Sequence, residues 1–351
     1  MKRFALFLTV ILLMVCAIPG CVEESKVKEG VVRIGYITSD LHQLAYAVAK
    51  NSSAGGGKSM YEKQGLKVED PYSGLANGGL VMDRFADGSI DMGFLGAPPA
   101  ITKHLNMGTN VKIIAQANEI GSALVVKKEI NSSTDLKGKT LATPGHSTIQ
   151  YFLLKTYLEM NGLKEGNGKD DVQIIDVQVG LLKSKLDSGD IVGFVSWEPF
   201  CADAVASGGC KILVYSSEIW PSHLCCVLAV NGNYAKSHSS EVIKFLKAHI
   251  EATKWMNEAL ADNTSYNYTL LVKIATEFTG KNESVIKEAL ANIRYKYTID
   301  DNFRDSFKNY TNKLIAMNIT YSNLISERGY ASIDDFTNKY IDDKFLAKAE
   351  K

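Results

Sequence analysis

Phe85-Ala-Asp-Gly-Ser-Ile-Asp-Met-Gly-Phe-Leu-Gly-Ala-Pro-Pro-Ala100 carries a helix end, a turn, a strand and a helix start in one stretch. A helical pattern from Asn77 to Ala86 stops at Asp87-Gly88, where glycine accepts the left-handed backbone that closes a helix. Ile90 to Leu95 is an apolar run of strand length. Pro98 and Pro99 then fall where a helix tolerates a missing N–H, in its first turn. Upstream, Val31 to Ile37 and Leu66 to Glu69 read as strands, and Leu41 to Lys50 as a helix capped by Thr38, Ser39 or Asp40. Asn51 to Lys58 is a Gly- and Ser-rich insertion, placed near a cleft rim or an outer docking face. Downstream, Val111 to Ala115 is a fourth strand. Crossovers of this length predict a parallel, doubly wound α/β sheet.

The same grammar restarts after Gly121. Ala123 to Val126, Thr140 to Ala142, Val172 to Val177 and Ile191 to Ser196 read as strands, and Gly145 to Thr148 cap a long helix reaching Glu159. A helix is expected to begin near Trp197, and Cys225 to Val230 is a last strand. Residues 241–261, 266–292 and 300–317 are helical. Two α/β units follow, with the chain crossing between them near 118–123 and 221–230.

The N-terminus gives an address. Lys2 and Arg3 precede an apolar run from Phe4 to Ile18, then a small residue and Cys21. That is the order of a secretory signal, and the run is short for a membrane span. Cys21 is placed as in a lipobox, which makes it the acylated first residue of the exported chain; an ordinary signal followed by a chance cysteine is the alternative. Without residues 1–20 the chain has 37 basic and 39 acidic residues, which leaves no basic field for nucleic acid. Residues 22–30 are charged and read as a tether. Seven Asn-X-Ser/Thr sequons, the first at Asn51, make glycosylation open to an exported chain. Cys201, Cys210, Cys225 and Cys226 could pair in an oxidising compartment, though adjacent Cys225 and Cys226 should point to opposite sides of a strand. No Cys-x-x-Cys or nearby histidine pair supports a zinc site.

Ligands in open α/β sheets bind beyond the carboxyl ends of strands, at helix N-termini. Three such ends stand out: Thr38 to Gln43, Gly96 to Ala100, and Thr143 to Thr148. Each offers backbone N–H groups, and the loops hold hydroxyls but no Arg or Lys, which suits a compact monoanion. Ordinary N-caps are the plain alternative for each.

Arg33-Ile-Gly-Tyr36, the Phe85–Gly93 run, Gly96-Ala-Pro-Pro-Ala100, Asp135-Leu-Lys-Gly-Lys139 with Thr143-Pro-Gly145, and Trp197-Glu-Pro199 recur in an order that resembles one group. That group is the nitrate/sulfonate/taurine family of ABC-transporter substrate-binding proteins, which includes pyrimidine-precursor binders related to thiamine synthesis. The likeness covers roughly 31–260. It implies a two-lobed periplasmic-binding-protein type II fold: residues 31–120 begin lobe 1, 121–222 form lobe 2, and 223–351 return to lobe 1 with C-terminal helices. It also implies a monomer on the outer face of the cytoplasmic membrane, anchored through Cys21, that passes a small anion to a permease and needs no cofactor. The implied ligand contacts are Thr38, Ser39, His42, Gln43, Gly96, Ala97 and Pro98 in one lobe, with His146, Ser147, Thr148, Trp197 and Glu198 in the other and Glu119 at a crossing. A sulfonate-like anion would sit at Ser39, Ala97 and Ser147 with its organic tail on Trp197. Trp197 is alternatively a core side chain, His42 and His146 capping or packing groups, and Glu198 a first-turn carboxylate or the partner of a ligand ammonium. The cysteine-rich motif of the pyrimidine binders is absent, but a heterocycle stays open as ligand, and a sensory receptor as role. No enzyme is expected: Ser147 beside His146 lacks an acid to orient the imidazole.

Overall fold

A computed structural model of the chain describes residues 30–351; the leader, Cys21 and the tether up to residue 29 lie outside them. The strands, in chain order, are β1 (Val31–Gly35), β2 (Lys67–Glu69), β3 (Met92–Gly96), β4 (Val111–Gln116), β5 (Asn118–Ile120), β6 (Ser122–Lys127), β7 (Thr140–Thr143), β8 (Gln173–Asp176), β9 (Gly193–Trp197), β10 (Cys210–Tyr215), β11 (Cys226–Asn231) and β12 (Ile293–Tyr295). They build two five-stranded sheets, ordered β2-β1-β3-β11-β4 and β10-β6-β9-β7-β8, and a two-stranded ribbon β12-β5. The fold class is thus α/β with helices over both sheets.

The sheets are mixed rather than parallel. β1 runs parallel to β2 and β3, but β11 is antiparallel to both β3 and β4. β11 enters from the other sheet, so it has no crossover helix to turn it parallel. In the second sheet β7 is parallel to β8 and β9, while β6 is antiparallel to β9 and β10.

The opening stretch folds as expected, for reasons visible in packing. All of β3 is buried, as a central strand covered on both faces should be. Gly93 and Gly35 are register partners; a Cβ on Gly93 would press on Val81 and Phe85 of the Gly78–Ala86 helix, and one on Gly35 would press on Ile90. Gly93 therefore lets that helix lie directly on the sheet. Asp91 ties strand to strand: it accepts from the Arg33 backbone at 2.8 Å and from the guanidinium at 3.0 and 2.6 Å.

Other expectations shift. The helix after Asp40 starts as a 3-10 turn, Leu41–Gln43, before Leu44–Lys50, with Asp40 accepting from the His42 N–H at 3.0 Å. The Asn51–Lys58 insertion follows the far end of that helix, roughly 10 Å of helix away from the end that carries His42. Trp197 ends β9, and the helix begins at Phe200. The 266–292 region is two helices, Tyr266–Thr279 and Glu283–Ala291, split at Gly280 with φ +70°. The core of the first sheet is closed by Ser239–Ala261, whose Val242, Phe245, Leu246, His249 and Met256 are buried at helical spacing. Asp301–Ala316 packs on Ala97–Met107, where Tyr340 and Phe336 flank His104. Among the described residues no helix is long and apolar enough to cross a membrane.

The chain passes between the sheets at 117–121 and again before Cys226. β12, from the C-terminal part, pairs with β5 in the first passage, and Glu119 bridges to Leu224 in the second. Glu119 is buried there and accepts from Arg294 Nη1 at 3.0 Å and Lys296 Nζ at 2.9 Å. Its carboxylate is neutralised within the connection, so it is a structural clasp and not a ligand group.

Candidate functional site

Between the sheets lies a narrow recess of about 30 Å³. Its walls are Ile37, Pro99, Ile149 and Trp197; its polar rim is Asn77, Thr148 and Gln150; its floor is Asp40, His42, Cys225 and Cys226. A wider opening of about 330 Å³ adjoins it through the shared Asn77 and Trp197, and is lined by Thr38, Ser39, Leu80, Gln178 and Phe200 among others. Among the described residues no Arg or Lys lines either space.

The three helix ends expected to bind an anion differ sharply. At Ala97–Met107 the donors are absent. Ala97 donates its N–H to Cys225 O at 3.1 Å, and Pro98 and Pro99 have none. Ser39, at φ +56°, lines the outer opening and donates its hydroxyl to Thr279 O at 3.0 Å. Thr38 lines the same opening. Thr148 reaches the recess, but its Oγ1 donates to Gly145 O at 2.6 Å. His146 turns outward to Asp176, with Nδ1 at 2.6 Å from Oδ1, and stacks on Tyr151. Ser147 shares that turn and lines neither space. Gln43 is buried beneath the floor, accepting from the Ile37 N–H at 2.8 Å and donating to Asp40 Oδ2 at 2.9 Å.

Two helix ends do converge on the recess. One is the expected end after Thr148, where Ile149–Met160 presents Ile149 and Gln150; the other is Gly78–Ala86, which presents Asn77 and Gly78. The first N–H groups of a helix have no partner within it. Asn77, with Oδ1 accepting from Leu80 N–H, and the two glycines after it form the end that the sequence reading passed over. Its signal was there: an Asx cap before Gly78-Gly79 opens a helix with bare, approachable backbone. Trp197 joins them. Its ring stands edge-on to Phe200 at 5.9 Å, and its Nε1 is buried with no hydrogen-bond partner.

Glu198 faces away, into a separate cavity of about 290 Å³ walled by Ala202, Tyr215, Val285, Glu288 and Asn292. Its carboxyl accepts from Ala202 N–H and Asn292 Nδ2, each at 3.0 Å. Burial raises its pKa from the ordinary 4.5 to about 7, with those two donors opposing.

The recess floor is a compact polar cluster. His42 Nε2 lies 2.8 Å from Gly121 O and Nδ1 lies 3.2 Å from Cys225 Sγ. Cys226 Sγ lies 3.9 Å from Asp40 Oδ2 and from Gln43 Nε2. Burial works against the charged imidazole, but Cys225 and Asp40 outweigh it and bring His42 up to about 9. Burial raises Asp40 to about 6, with His42 pulling the other way. Burial opposes the Cys225 thiolate too, yet the Cys226 thiol and His42 bring its pKa well below the ordinary value, while Cys226, facing that thiolate, is pushed up. The vicinal cysteines do not point apart as a strand would require: Cys225 sits just ahead of β11, and both residues line the recess. Cys201, Cys210, Cys225 and Cys226 are all free thiols.

Similarity to known proteins fits this architecture. The family model described as the NMT1-like family matches residues 26–271. The taurine-binding periplasmic protein of Escherichia coli K12 is 31% identical over 179 residues, which is 50% of this chain and 54%, about half, of that protein. Two crystal structures share the fold. The aliphatic sulphonate binding protein of Escherichia coli has a TM-score of 0.68 at 17% identity, over 83% of this chain and 88% of that one. The nitrate-binding protein of Synechocystis PCC 6803 has a TM-score of 0.72 at 14% identity, over 91% and 88%.

Proposed function

Because the chain belongs to the NMT1-like family, we propose that it is an extracytoplasmic solute-binding lipoprotein of an ABC importer. Acylated Cys21 holds it at the outer face of the cytoplasmic membrane as a monomer. Its two lobes, 31–120 with 223–351 and 121–222, close over a small sulfonate-like solute and pass it to a permease. The observation that carries the ligand class is the convergence of two helix N-termini and the partnerless Trp197 Nε1 on one recess without a cationic side chain. Helix ends and an indole N–H hold a single negative charge well, whereas a multiply charged phosphate normally recruits Arg or Lys. The taurine- and sulphonate-binding relatives support the same class. The anion sits at the Asn77–Gly78 and Ile149–Gln150 ends rather than at Ser39, Ala97 and Ser147, with its tail on Pro99, Ile37 and Trp197.

The apolar walls and the buried Asp40 carboxyl favour a second ligand, a planar pyrimidine-like heterocycle. A thermal-shift screen separates the two. Taurine or an alkanesulfonate should raise the melting temperature, by about 2.7 kcal/mol of stabilisation at a hundredfold excess over Kd. A pyrimidine that shifts the curve while taurine, alkanesulfonates and nitrate leave it unmoved would replace the sulfonate reading. Scattering with the bound solute should show a smaller radius of gyration, since only a closed form gains contacts from both lobes.

A further inference from the structure

We propose that His42, Cys225 and Cys226 form a binding site for a soft d10 metal ion, zinc(II) or copper(I), at the floor of the recess. The side chains come from two segments 183 residues apart in sequence, and all three are buried. Imidazole nitrogen and both sulfurs lie within 4.8 Å of one another, the one such grouping among the described residues. Sulfurs bound to one tetrahedral zinc at about 2.3 Å stand roughly 3.8 Å apart, so the donors need to draw in by no more than about 1 Å. Thiolate and imidazole donors select soft ions over magnesium or calcium.

The surroundings are those of a ligand-orienting shell. His42 Nε2–H donates to Gly121 O at 2.8 Å, which fixes the tautomer whose Nδ1 lone pair faces the sulfurs. Gly121 can stand that close because it has no Cβ; one there would run into His42 Nε2. Asp40 stands beside the group but outside it, with Oδ1 at 3.5 Å from His42 Nδ1 and Oδ2 at 3.9 Å from Cys226 Sγ; the fourth position is left to water or another exogenous donor. Among the described residues no Arg or Lys lines the recess, so thiolate and carboxylate have no other positive side chain there than the imidazole. Binding leaves both sulfurs as thiolates and His42 neutral, the displaced protons going to solvent. The recess is the entry path.

This site rests on its own side chains and not on the identity of the solute, so it is tested with no solute present. The reduced, metal-free, full exported chain is titrated with cobalt(II) as a spectroscopic probe. One equivalent should produce thiolate-to-cobalt charge transfer and the visible bands of a tetrahedral ion, and one equivalent of zinc(II) should bleach them. Copper(I) displacing zinc identifies copper as the preferred ion; zinc holding against copper identifies zinc. Cys225→Ser and Cys226→Ser should each cut the charge-transfer intensity to about half and together abolish it, while Cys201→Ser leaves it intact. If the double variant does not fold, X-ray absorption on the zinc-loaded wild type decides: a sulfur shell at about 2.3 Å with one imidazole is expected. A folded wild type that gives no charge transfer and no zinc-dependent rise in melting temperature overturns the site. A shell of oxygen and nitrogen alone, or bands that survive in a folded double variant, does the same.

Discussion

Glu198→Gln should make the protein more stable at pH 8 and change little at pH 4.5. The wild-type carboxyl is buried with a pKa near 7 against 4.5 for the ordinary group, and no cation pairs with it. An acid whose pKa is raised by folding binds its proton more tightly in the native state. Its contribution is therefore intact below pH 4.5, and stability is lost as pH rises from 4.5 through 7. A shift of about 2.5 units at 1.36 kcal/mol each puts the full cost above pH 7 at about 3 kcal/mol. Glutamine keeps one oxygen for the Ala202 N–H, and the Asn292 amide turns over to accept from the new NH2. Asn292 then gives up its weaker donation to Glu288 O at 3.3 Å, so the net gain is about 2 kcal/mol. Urea unfolding of both proteins at pH 4.5, 6, 7 and 8 measures it, and the difference between them isolates this group from other titrations. A wild-type-to-variant offset that stays constant from pH 4.5 to 8 refutes the reasoning, because Glu198 would then be titrating alike in folded and unfolded chains.

Trp197→Phe removes the partnerless Nε1 and keeps a ring on the wall, so calorimetry should find sulfonate binding weakened by about tenfold or more; unchanged affinity means the indole N–H does not meet the solute. Gly121→Ala puts a side chain at φ +96° into His42 and should cost about 2–4 kcal/mol in urea unfolding, with a cost under about 0.5 kcal/mol showing that the His42–Gly121 contact is soft. Glu119→Ala removes the buried acceptor that Arg294 and Lys296 share, leaving Lys296 on Asp300 and the half-exposed Arg294 on Ser222; the expected loss is about 1 kcal/mol, and a neutral variant would remove Glu119 as the clasp. Cys21→Ser should release the protein from the membrane fraction, and wild type recovered soluble with an unmodified Cys21 would end the lipoprotein assignment.

What could be read before folding was whatever depends on neighbours in sequence. The Phe85–Ala100 stretch announced its helix stop, strand and proline start because each signal is local, and β3 and the Ala97–Met107 helix follow it closely. The antiparallel entry of β11 was not legible, since it depends on the strand arriving from another sheet. Short elements, β12 and β5, pair across more than 170 residues and carry too little pattern to be seen. Among site residues, Trp197, Gly96 and Thr148 do line the recess, because strand ends and helix starts are where open sheets place their clefts. Ser39, Ala97, Glu119 and His146 have the right residue type and the wrong partners: Thr279 O, Cys225 O, Arg294 with Lys296, and Asp176. Nothing local reveals that a hydroxyl or N–H is already engaged. The meeting of His42 with Cys225 and Cys226 is likewise a property of topology alone.

The proline pair at Pro98-Pro99 has a consequence for what the protein refuses. A helix terminus facing a cleft usually trades its backbone donors for the water that a solute sheds. Here one side of the recess has nothing to trade. An inorganic oxyanion such as nitrate, hydrated all round, would strip its water against that side and regain no bond there, a cost of about 1–3 kcal/mol for each group left unmatched. A solute with one polar end and one greasy end loses nothing on the same surface, because its tail had no water bonds to forfeit. On the solute-binding role proposed above, two consecutive imino acids act as a sieve for lopsided molecules, rejecting by silence what a row of charged side chains would have had to reject by repulsion.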